Sequence, residues 1–152
     1  MDKQTTLQGA QNGFDELLAA VQGLDEQAMT RTFFGDWSVK DILAHLAGWQ
    51  HEMAGSMERM ARGERPTPEG VDYGNADAWN ASFATAMKPQ SAATVVADLQ
   101  QSFATYLRCA RAIGDDRYGE GKTINRLIET SGTGHYAEHL PAIKEYRASL
   151  PA

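Results

Sequence analysis

A chain of 152 residues and 16.6 kDa is the size of one ordinary domain, long enough to bury a core without disulfides or an obligatory metal, so residues 1–152 are expected to form a single domain. With 42% hydrophobic and 22% charged residues, the composition is globular and excludes a chain kept disordered by its own charge. The net charge of -6 and pI near 5.1, with lysines and arginines scattered, argue for no nucleic-acid partner, because such a partner calls for positive charge gathered on one face.

The nearest approach to a basic cluster, Arg59, Arg62 and Arg65, is interleaved with Glu58 and Glu64 and reads as a solvated helix end. A single cysteine, Cys109, cannot form an internal disulfide and fits a reducing compartment; its helical setting in "SFATYLRCARAI" suits a small buried side chain. No basic start precedes an apolar run, and no segment nears the ~20 apolar residues of a membrane span. The expected location is cytoplasmic, with no membrane partner.

In chain order, residues 3–23 place Leu7, Ala10, Phe14, Leu17, Leu18 and Val21 at helical spacings, with Gly23 as the stop. A connection over about 24–37 follows; its Phe33, Phe34 and Trp37 predict packing against the body. Ser38 then caps a second helix, with Asp41 three residues on as a capping-box partner. Val39, Ile42, Leu43, Leu46, Trp49, Met53, Met57 and Met60 hold the helical period to Gly63. Three of the 5 prolines fall in the next segment, a long loop whose later part, "NADAWNASFATAM", suits a short helix.

Ser91 caps a third long helix, with Val95, Leu99, Phe103, Tyr106, Leu107 and Ile113 as its stripe and Gly114 as its end. A last helical region spans about 124–148, interrupted near "SGTG", with Tyr136, Leu140, Ile143 and Tyr146 on its apolar face. Pro141 predicts a kink there, since its ring removes a backbone donor. No strand-like alternation persists. The expected fold is all-α, a four-helix bundle with a long connection between helices two and three.

The chemistry concentrates in "GHYAEH". His135 and His139 lie about 40° apart in rotation and about 6 Å apart along a helix, so one ion can take both. His45, on the second helix beside Leu43 and Leu46, is either a core histidine or a third ligand, because bundle metal sites are built from facing helices. Three imidazoles would leave an open position, as in ligand-exchanging sites. His51 stands about 120° off the face of His45 and belongs to the surface. The H-x-x-E-H reading casts Glu138 as the general base of an inverted zinc protease, but the size and architecture of the chain favour a surface or ligand-orienting role. Imidazole ligands suit zinc, nickel, iron and copper alike.

The stretches "WSVKDILAHLAGWQ" (37–50) and "GHYAEHLPAIKEY" (134–146) resemble the DinB-like superfamily of metal-dependent four-helix bundles. That resemblance covers nearly the whole chain. It implies that His45, His135 and His139 bind a divalent ion, most often zinc or nickel, and that the protein is a homodimer. Relatives include thiol-dependent transferases and isomerases and hydrolase-like resistance proteins. "YGNADAWNASFA", with Asn75, Asp77, Trp79 and Asn80, is similar to the loop-to-helix region that covers the site in such proteins; capping and packing of the connection is the alternative for any one of these residues. The expectation is a metal-dependent hydrolase or thiol transferase acting on a small-molecule substrate. The alternative is a non-catalytic bundle binding a small hydrophobic ligand or a protein partner.

Overall fold

The Asp2 carboxylate accepts a 2.8 Å hydrogen bond from the Thr5 amide, satisfying a donor that the first helical turn leaves free. From there α1 runs Lys3–Val21. In this computed structural model, which describes residues 1–151, α1 buries Ala10, Phe14, Leu17 and Val21, the stripe that the spacing predicts.

The connection after α1 is more regular than its sequence suggests. It forms a short α2 (Glu26–Thr30) and an antiparallel ribbon of β1 (Thr32–Phe34) and β2 (Trp37–Ser38). Strands of three and two residues are too short for alternation to show in sequence. Phe33 stacks on Tyr146 at 4.4 Å between centroids and Trp37 is half-buried. The connection thus packs against the body through Phe33 and Trp37, while Phe34 remains 57% exposed.

Ser38 and Asp41 form the predicted capping box at the start of α3 (Val39–Ala61). The second carboxylate oxygen of Asp41 accepts from Lys88 Nζ at 2.8 Å, which ties α3 to the segment after α4 (Ala76–Ala86). Burial alone would raise the Asp41 pKa; the bonds from Lys88 and Ser38 outweigh it and hold the carboxyl below its ordinary value. Next comes α5 (Ala92–Arg111), capped by Ser91. A last helical stretch follows: α6 (Thr123–Ile128), one wide π turn over 129–133, and α7 (Gly134–Ser149).

The bundle consists of α1, α3, α5 and the α6–α7 stretch, with α3 packed along α5 and α1 along α7. Phe14 stacks on Phe103 at 3.9 Å and meets Tyr136 edge-on at 5.7 Å; burying rings of this size contributes roughly 1.5–3 kcal/mol each. One polar chain crosses this core. The Tyr136 hydroxyl donates to Gln50 Oε1 at 2.5 Å, and Gln50 Nε2 donates to Ser102 Oγ at 2.6 Å and the Leu99 carbonyl at 3.0 Å. These bonds set the register of α7, α3 and α5 at the level of His135.

Pro141 does not break its helix. α7 continues through it, and the Ala137 carbonyl that loses its partner belongs to an exposed residue, where water can satisfy it. A π turn lies upstream, at the predicted interruption "SGTG". Its Gly132 is buried, and a Cβ there would stand 2.9 Å from the Tyr106 hydroxyl. That hydroxyl pairs with Ser131 Oγ at 2.8 Å. Among the described residues no helix is long and apolar enough to cross a membrane.

Candidate metal centre

The histidines reach one point from two helices. His45, 2% exposed, projects from the second turn of α3; half-buried His135 and His139 project from the first two turns of α7. The Nε2 atoms of His45 and His135 lie 3.1 Å apart. One ring nitrogen from each of the three lies within 4.8 Å of the other two. Trp37 packs edge-on against His45 at 5.2 Å and fixes the plane of its ring.

Burial pushes the His45 pKa down to about 3, with its two histidine neighbours adding to the effect, and pushes His135 down to about 4. His139 is lowered by burial too, while the nearby Glu138 carboxylate acts in the opposite sense. All three imidazoles are therefore neutral at pH 7, the state in which a ring nitrogen can ligate.

The donor set fits a divalent ion. The candidate ligating atoms are the ring nitrogens that face one another, and no lysine or arginine lines the cavities beside them. An ion ligated by imidazole at ~2.0–2.1 Å in tetrahedral geometry holds its nitrogens roughly 3.3 Å apart, close to the Nε2 separation seen here.

Two cavities open on this cluster from either side of α4. One, of about 330 Å³, is lined by Phe34, Trp37, Ile42, His45, Asn80 and His139, among others. The other, of about 500 Å³, runs past Trp49, Tyr73, Ser131, His135 and Glu138. Asp77, Asn80 and His139 belong to both. The later part of "YGNADAWNASFA" forms α4, which lines both cavities through Asp77 and Asn80. Gly48 allows the close approach, since a Cβ at this position would stand 2.2 Å from Phe83 Cγ. Asn80 Oδ1 accepts from Trp49 Nε1 at 2.6 Å, and Trp79 Nε1 donates to the Asp72 carbonyl at 2.8 Å. Asn75 precedes α4 without a side-chain cap bond.

His51 is exposed and pairs with Asp98 Oδ1 at 3.0 Å, away from the cluster. Glu138 is exposed at the mouth of the larger cavity. Cys109 is buried, with its thiol pushed up by burial and by Glu58 beside it. The residues that sequence reasoning missed are Phe34 as a cavity wall and Tyr73, whose only signal was its place at the head of the quoted stretch.

The fold and the three-histidine group define a DinB-like helical bundle. The sequence profile of the mycothiol maleylpyruvate isomerase N-terminal domain matches residues 10–120, and the chain belongs to that family, within the DinB-like superfamily. No curated protein matches it. Among solved structures it is similar to the colibactin self-resistance protein ClbS in complex with a dsDNA, at 14% identity and TM-score 0.85, over 99% of this chain and 98% of that one. It is also similar to DfsB, a sibling lethal factor precursor, at 15% identity and TM-score 0.82, over 97% and 96%. A third is an uncharacterised protein from Escherichia coli UTI89, at 18% identity and TM-score 0.80, over 97% and 93%.

One expectation is corrected by these likenesses. The acidic balance argues for no nucleic-acid partner, yet ClbS, of the same fold end to end, is found with double-stranded DNA. Net charge is a sum over the whole surface and does not describe the local field where a partner docks.

Proposed function

We propose that the chain is a single-domain, metal-dependent enzyme acting on a small molecule, with His45, His135 and His139 holding one divalent ion, zinc or nickel. The observation that carries this reading is the meeting of three neutral imidazoles, with Nε2 of His45 and His135 3.1 Å apart, beside two cavities. When bound, such an ion supplies Lewis acidity that activates water or a thiol or polarises a carbonyl. Trp37 holds His45 in plane, Asn80 is held by Trp49 at the cavity divide, and Tyr136 locks α7 through Gln50. The family name favours a thiol-dependent isomerase or transferase over a hydrolase. The thiol would come from outside, since Cys109 is buried on another face.

Elemental analysis of protein purified without a histidine tag tests the ligand set. About one equivalent of zinc or nickel is expected in the wild type and none in a His135→Ala, His139→Ala double variant. Wild type that stays metal-free in metal-replete medium overturns the reading. The same proposal places the protein in the cytoplasm as a homodimer; light scattering giving a monomer mass would remove the dimer alone.

The complex of ClbS with dsDNA favours a second reading, in which this bundle contacts nucleic acid. Anisotropy of a labelled duplex, titrated at low and physiological salt, decides it. Binding that weakens with salt supports a phosphate-contacting surface.

A further inference from the structure

We infer that the larger cavity beside the histidines is a cation-selecting arm, shaped for the ammonium end of an amine or quaternary-ammonium substrate. This deepens the proposed enzymatic reading and rests on it for the chemistry, but the selectivity itself comes from residues that are not among the three histidines.

Charge gives the first argument. Asp77 and Glu138 line the larger cavity, Asp77 lines the smaller one too, and no lysine or arginine lines either. Neither carboxylate belongs to an ion pair among the described residues. Both are free to meet a ligand. Away from an ion at the histidines, a substrate carboxylate or phosphate in this arm would find only like charge, whereas an ammonium would find two opposite ones.

Ring geometry gives the second, independent argument. Trp49 and Tyr73 meet at 66° with centroids 5.6 Å apart, forming a corner in the cavity wall. A cation over such a corner is attracted by the negative faces of the rings. Trp79 packs against both rings, at 5.9 and 5.1 Å, and Phe83 against Trp49 at 5.4 Å, so the corner is rigid, and each ring is also held by its polar edge. Trp49 Nε1 donates to Asn80 Oδ1 at 2.6 Å, and the Tyr73 hydroxyl donates to Glu52 Oε2 at 2.8 Å. Donation to a carboxylate makes the phenol ring more electron-rich. Burial and Glu52 also push the Tyr73 pKa up, so that hydroxyl stays protonated.

Three matched probes test this by titration against Trp fluorescence: benzyltrimethylammonium, 2-phenylethanol and phenylacetate. Each is measured with the protein as purified and after chelation. The ammonium is expected to bind at least about tenfold more tightly than the alcohol in both states. That preference should fall to parity in Asp77→Asn, Glu138→Gln, whose substituted side chains are both exposed. Tyr73→Phe should keep the preference and Tyr73→Leu should weaken it, which separates a ring face from mere packing. Parity in the wild type, a preference for phenylacetate in the chelated protein, or no ammonium binding at millimolar concentration overturns the inference. A metal-free wild type that still selects the ammonium would sink the metal reading and leave the arm standing.

Discussion

His45 and His135, 90 residues apart in sequence, bring their Nε2 atoms to 3.1 Å across the contact of α3 with α7. Both rings are held neutral by burial, and each leaves a second nitrogen buried without a partner. In this pair the core has given up packing for polarity.

Replacing His45 with alanine separates ligation from stability. Loss of one of three imidazoles is expected to weaken divalent-ion affinity by at least about 100-fold. The chelated variant should lose roughly 2–4 kcal/mol, since truncating a ring that is 2% exposed leaves a cavity in the core. Calorimetric zinc titration alongside urea unfolding of the chelated protein checks both halves. A large stability loss with unchanged zinc affinity would mark His45 as a packing residue.

The stability of the chelated protein should fall on acidification. Unfolded histidine titrates near 6.5, whereas folded His45 and His135 titrate at about 3 and about 4. Between those values the unfolded chain binds protons that the folded chain does not, so stability is retained above about pH 6.5 and declines as pH drops toward 4. The expected loss is a few kcal/mol. Urea midpoints measured from pH 7.5 to 4 read it, and a His45→Phe, His135→Phe variant should show a flatter profile over the same interval.

Gly48→Ala is expected to lift α4 away from α3. The added Cβ meets the Phe83 ring at 2.2 Å, and overpacking of this kind costs about 1–3 kcal/mol. Because Trp49 and Asn80 bridge these same helices, the fluorescence of the Trp49 environment should shift as well. A companion Phe83→Ala change should restore α4 to its seat; if the double variant remains as perturbed as the single one, the close approach is not what positions α4.

Tyr136→Phe leaves Gln50 Oε1 buried and unpaired. A loss of about 1–3 kcal/mol is expected, and with it a weaker hold on the register of α7. Double-mutant analysis with Gln50→Leu tests the pairing: removing both partners should cost less than the sum of the single changes.

Much of this fold was legible because helices announce themselves locally. Asp41 three residues after Ser38, Gly114 after the α5 stripe and the break at "SGTG" each mark a boundary within a few residues of sequence. The β1–β2 ribbon was not legible, since five strand residues carry no period. Pro141 leaves α7 continuous, because the carbonyl that loses its partner belongs to exposed Ala137, where water can satisfy it. The acidic total misled by averaging over a surface whose local field decides what docks.

The candidate site divides along the same line. By itself the sequence determined that His135 and His139 share one helix face, because a four-residue spacing fixes both rotation and rise. It left His45 open between core and ligand. Only the tertiary structure decided that His45 meets the other two, that α4 lies over them through the gap at Gly48, and that Asp77, Glu138, Trp49 and Tyr73 line one arm. Periodicity dictates which residues share a face; which faces meet is settled by packing between elements far apart in the chain.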